Sequence, residues 1–167
     1  MAWNRVGHDI MRAVTDPYAL YCIALGHAHD AAQLRERTVD GRLTLVITTL
    51  AMVSASGLAG CGERCGRAHP ADITPSLREL ADADGAELRS LTPPQAAALG
   101  ALYRTQTAAG YLGDTVLAAC GAALVAHAEN IPLLTTPRAR YCYVTGRPAS
   151  LATRIEIDSV PDAGDHP

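Results

Sequence analysis

Short apolar runs alternate with stretches of helical character along this chain, the pattern of a largely parallel sheet with helices packed on its faces. Residues 11–15 read as a first strand, and Asp16-Pro17 opens a helix through residue 25. A second helix over 30–39 has Leu34 on its apolar side and ends at Gly41. Residues 43–47 are the clearest strand, followed by a helix over 50–59. Gly57, Gly60, Gly62 and Gly66 loosen the next segment. A short helix over 76–83 and a strand over 86–91 come next, and Thr92-Pro93-Pro94 caps a helix reaching residue 106. A helix over 114–128, a strand over 132–135, a turn or helix over 138–143 and a last strand over 153–158 complete the order.

One segment tests this reading. From residue 43 to residue 62 there is no charge, about the length that spans a bilayer. The run carries Thr44, Thr48, Thr49, Ser54 and Ser56, and it divides into a β-branched half and an alanine-rich half. A strand and a buried helix fit that division, so no membrane association is expected.

The chain has 167 residues, 49% of them apolar, which suits one domain with a single core and argues against disorder. That domain is expected over residues 1–160, with 161–167 as a flexible polar tail. A net charge of -3 gives no general attraction for a polyanion, so any nucleic-acid contact needs a local basic patch. Every Lys/Arg position is arginine, a uniform skew that points to codon bias. Five cysteines do not form a secreted disulfide framework, and the polar N-terminus has no apolar signal core. The expected compartment is the cytosol.

The most informative chemistry lies late in the chain. Gly113-Asp114-Thr115 opens an alanine-rich helix, and Ile131-Pro132-Leu133-Leu134-Thr135-Thr136-Pro137 follows as a short apolar strand. Together with the strand-Asp-helix at Asp16, this order resembles the PIN-domain family, the PIN-like, VapC-type metal-dependent ribonucleases. The resemblance runs from about residue 11 to residue 160. It implies a three-layer α/β/α sandwich with a central, mostly parallel five-stranded sheet. It also implies an acidic site that binds Mg²⁺ or Mn²⁺, RNA as substrate, a homodimer, and an antitoxin-type protein partner.

Carried over position by position, Asp16 matches the first acid of such a site and Asp114 the third. Both would then be catalytic residues and metal ligands. Ser54 stands where the second acid belongs and Pro137 where the fourth belongs, so the chain lacks two of the four carboxylates. Two carboxylates hold a hard cation more weakly than four and give less reason for either to serve as a general base. The expectation is weak or absent nuclease turnover, or a non-catalytic module that binds RNA, a nucleotide or a protein. Both aspartates also suit plain helix capping, Asp16 before Pro17 and Asp114 after Gly113. Thr136, Arg138 and Arg140 are the candidate substrate-binding residues, since guanidinium groups beside a lost acid favour anions. The bland reading of Arg138 and Arg140 is a solvated turn, and that of Tyr141 and Tyr143 is packing. Cys61, Cys65 and His69, spaced i, i+4, i+8, would suit zinc with His27 or His29 as a fourth ligand, although the glycines between them disfavour a continuous helix. Cys22, Cys120 and Cys142 read as core residues.

Overall fold

A computed structural model describes residues 10–60, 67–108, 110, 113–137 and 154–157, giving the backbone alone for 154–156. Strands β1 (Arg12–Thr15), β2 (Thr44–Thr48), β3 (Ala86–Arg89) and β4 (Leu133–Thr135) make a parallel sheet. A short backbone run, β5 (Arg154–Glu156), continues it beyond β4. The order is β3-β2-β1-β4-β5, and each pairing runs parallel. Parallel neighbours need crossover helices, and the chain supplies them. These are α1 (Pro17–Leu25), α2 (His29–Val39), α3 (Thr49–Ser56), α4 (Thr74–Ala81), α5 (Pro93–Ala108) and α6 (Asp114–Glu129).

Strand alternation sends neighbouring residues to opposite faces, and both faces here are apolar. Ala13, Leu45, Ile47 and Leu134 pack with α1, α2 and α4, for example on Leu20, Leu34 and Leu77. Val14, Val46 and Leu133 pack on the other side against α6 and Leu99 of α5. The result is an α/β/α sandwich whose central strands carry almost unbroken apolar sequence.

Several element ends follow from local chemistry. Thr48 ends β2 with its hydroxyl accepting from the Ala51 amide at 3.1 Å, so β2 reaches one residue past the expected strand and α3 starts at once. Helix α3 stops at Ser56, three residues short of the expectation, because Gly57 follows as its cap. Helix α4 begins two residues before the expected start, where the Asp72 carboxylate accepts from the Thr74 amide at 2.8 Å. Thr92 and Gln95 form a reciprocal box at the start of α5, with Thr92 N donating to Gln95 Oε1 at 2.9 Å. At Gly85 a Cβ would stand 2.2 Å from the Leu43 carbonyl oxygen and 2.5 Å from that of Thr38. Only glycine lets β3 enter the sheet so close to the α2–β2 corner.

Four charged side chains close a ring on the α6 side of the sheet. Arg12 pairs with Glu87 at 2.9 Å and with Glu129 at 2.6 Å, while Arg89 pairs with the same two carboxylates at 2.5 and 2.7 Å. The ring ties the C-terminus of α6 to the amino end of β1. Among the described residues no helix is long and apolar enough to cross a membrane, and 43–60 of the uncharged run are β2, α3 and their flanks. The expected turn over 138–143 and the polar tail lie outside the described residues.

Candidate functional site at the carboxyl end of the sheet

Asp16 sits where β1 gives way to α1. Its backbone is extended, with φ −82° and ψ 171°, and Pro17 fixes the first helical residue. The side chain is fully buried. Oδ1 accepts from the Ala19 amide at 2.8 Å, and Oδ2 accepts from the Thr135 hydroxyl at 2.5 Å. The capping reading of Asp16 therefore holds as geometry, and the second oxygen bonds the end of β4. Thr135 had no assigned partner in the sequence, because a contact 119 residues away leaves no local signal.

The ion-pair ring fixes the direction of α6. Its last residue, Glu129, bonds Arg12 at the amino end of β1, so its first turn, about 24 Å away along a 16-residue helix, lies toward the carboxyl ends of the strands. Asp114 is in that first turn, exposed. The N-cap is Gly113, with φ 121° and no side-chain cap bond, so Asp114 is the first helical residue and not the cap. Its charge still complements the helix dipole there.

Ser54, in the place of the second acid, is buried in α3 and donates to Thr115 Oγ1 at 3.3 Å. This bond links α3 to the residue that follows Asp114 in α6. Asp16 shares the same end of the sheet. Thr136 is also fully buried, and its hydroxyl has no hydrogen-bond partner among the described residues. As placed, that hydroxyl is shielded from solvent. Pro137, in the fourth acid position, is half-buried and offers no side-chain donor or acceptor. Arg138 and Arg140 lie outside the described residues, as do Tyr141, Tyr143 and Cys142.

Hard divalent cations take several oxygen ligands in octahedral order. Asp16 already serves two protein donors and presents no accessible surface, while Asp114 is open to water. To join Asp114 on a Mg²⁺ or Mn²⁺, Asp16 would have to give up one of these bonds. Among the described residues no group of three His, Cys, Asp or Glu side chains is arranged to hold a metal ion.

A second cluster lies beyond the other end of α1. The Tyr21 hydroxyl and His69 Nδ1 are hydrogen-bonded at 3.1 Å, and the rings of His27 and His69 have centroids 4.8 Å apart. Burial first, then the positive charges of His69 and Arg67, hold the His27 pKa below its ordinary value. His29 is exposed and bonds Gln33 at 2.7 Å, so of the two histidines considered as a partner for His69 it is His27 that stands beside it. Cys61 and Cys65 lie outside the described residues. Cys22 and Cys120 are buried, and burial pushes the Cys120 thiol up to about 11.

The fold class is α/β, a parallel sheet with helices packed on both faces. No protein-family model and no curated protein matches the chain. Among solved structures it is similar to the crystal structure of PAE2754 from Pyrobaculum aerophilum, at 20% identity over 92% of this chain and 93% of that one, with a TM-score of 0.50. That likeness concerns the fold.

Proposed function

We propose that the chain is a divergent PIN-like domain, descended from metal-dependent ribonucleases and acting in the cytosol, whose depleted acidic site leaves weak nuclease activity or none. One observation carries this reading: Ser54 is hydrogen-bonded to the residue next to Asp114, at the sheet end that also holds Asp16. That three segments distant in the chain, carrying Asp16, Ser54 and Asp114, lie toward one edge of the sheet supports the reading. Asp16 and Asp114 are the residues that would hold a Mg²⁺ or Mn²⁺, which when bound would supply positive charge against an RNA phosphate. Arg138 and Arg140 would add guanidinium contacts to the same backbone.

The engagement of both Asp16 oxygens by protein donors favours a second reading, a module that binds RNA without cutting it. An RNA cleavage assay with Mn²⁺ or Mg²⁺, run on the natural chain and on Asp114→Asn, separates the two. Metal-dependent cleavage lost in the variant supports the residual nuclease. RNA binding without metal-dependent cleavage supports the module. Cleavage and metal affinity both untouched by Asp114→Asn would defeat the role given to Asp114. Reinstating the acids as Ser54→Glu with Pro137→Asp is expected to raise metal affinity and turnover.

A further inference from the structure

We propose that Tyr103 is a positioning residue for Asp114, fixing from α5 the turn that carries its carboxylate. The inference rests on the role proposed for Asp114 and names a residue that acts on it through the backbone.

Asp114 stands between two residues that are each tied to another helix. On one side, Gly113 donates its amide to the Tyr103 hydroxyl at 3.4 Å. On the other, Thr115 Oγ1 accepts from Ser54 of α3 at 3.3 Å. The exposed Asp114 side chain is thus carried on a turn held from α5 and from α3 at once.

The turn's own sequence supplies no such hold. In a reciprocal helix cap the third helical residue reaches back to the N-cap amide. Here that residue is Val116, apolar and buried, and the Gly113 amide finds its acceptor ten residues earlier in the chain. Gly113 has φ 121° and ψ 165°, a conformation that falls almost entirely to glycine, and a Cβ there would meet nothing within 4 Å among the described residues. The backbone angle therefore demands glycine, which brings no side chain to pin the turn. Tyr103 suits that task, because its half-buried ring packs against the cluster that holds Val14, Val116 and Leu133. A ring ordered by the core carries its hydroxyl as a fixed point at the rim.

The test compares the natural chain with Tyr103→Phe, Asp114→Asn and the double variant, each checked for folding by circular dichroism. Phenylalanine keeps the ring and removes only the oxygen. Amide exchange at Gly113, followed by NMR, should quicken about threefold in Tyr103→Phe, and Mn²⁺ affinity read by calorimetry should fall about threefold, the scale of one weak hydrogen bond. In the Asp114→Asn background the same change should leave Mn²⁺ affinity where Asp114→Asn alone sets it. Equal weakening in both backgrounds would show that Tyr103 does not act through Asp114 and would overturn the inference. Unaltered Gly113 exchange or unaltered Mn²⁺ affinity in Tyr103→Phe would overturn it as well. Mn²⁺ affinity indifferent to Asp114→Asn defeats instead the metal role of Asp114, and quickened Gly113 exchange in Tyr103→Phe would then still support the hold on the turn. Should Tyr103→Phe fail to fold, exchange at Gly113 in the natural chain decides: a protected amide supports the bond, and one exchanging like an open loop overturns it.

Discussion

The Ser54 hydroxyl donates to Thr115 Oγ1 across 3.3 Å, joining α3 to the first turn of α6 beside Asp114. The bond is long for two hydroxyls, and Thr115 keeps some contact with solvent. Ser54→Ala should therefore cost only about 0.5–1 kcal/mol, read as a small shift of the urea midpoint at unchanged slope. A loss several times larger would mean that the α3–α6 junction depends on this contact far more than its geometry shows.

Asp16 is a different case, because both oxygens are engaged in a fully buried position. Replacing it with alanine removes a helix cap and strands the Ala19 amide and the Thr135 hydroxyl. Chemical denaturation of Asp16→Ala is expected to show a loss of about 2–4 kcal/mol. Asp16→Asn keeps an oxygen for Ala19 but turns an NH₂ group toward Thr135, so its loss should be intermediate.

Thr136 offers the opposite sign. Its buried hydroxyl has no partner among the described residues, so it bears a desolvation cost without a compensating bond. Valine has nearly the same shape and lacks the oxygen. Thr136→Val should raise stability by about 1 kcal/mol, seen as a melting temperature a few degrees higher. Destabilisation by that change would show that the hydroxyl is satisfied in solution.

The ion-pair ring predicts a pH dependence. Hydrogen bonding from the Arg12 guanidinium, more than that from Arg89, holds the Glu87 carboxyl below its ordinary value of 4.5. A depressed carboxylate pKa means that the unfolded chain binds more protons in acid. The Glu87 contribution is thus complete above about pH 4.5 and fades as pH falls through its lower folded value. Acid titrations of stability should be shallower for Glu87→Gln than for the natural chain. At pH 7 that change should cost about 0.5–1 kcal/mol, less in high salt, since these side chains are partly exposed.

The order of strands and helices was legible because short apolar runs alternate with helical stretches, and Asp16-Pro17 announced both a strand end and a capped helix start. Boundaries were less so. Leu43 is apolar enough to read as strand, yet its amide bonds the Arg37 carbonyl at the end of α2, and the ladder begins at Thr44. Asp114 looked like a cap from its neighbours, but Gly113 takes the cap position with a backbone that side-chain-bearing residues seldom adopt. The contacts that build the site, Asp16 with Thr135 and Ser54 with Thr115, join segments more than 60 residues apart. Tertiary folding alone brings such pairs together, so no window of sequence could show them.

The charged ring also bears on how the molecule tolerates crowding. Strand β3 ends the sheet order, and it shows Leu88, 54% exposed, between Glu87 and Arg89. An outer strand with a bare leucine is a template for a neighbouring chain to dock on. Glu87 and Arg89 are anchored by Arg12 and Glu129, so an incoming strand would have to bury or break fixed ions to align there. Contacts that tie α6 to the sheet thereby also oppose edge-to-edge strand pairing at β3.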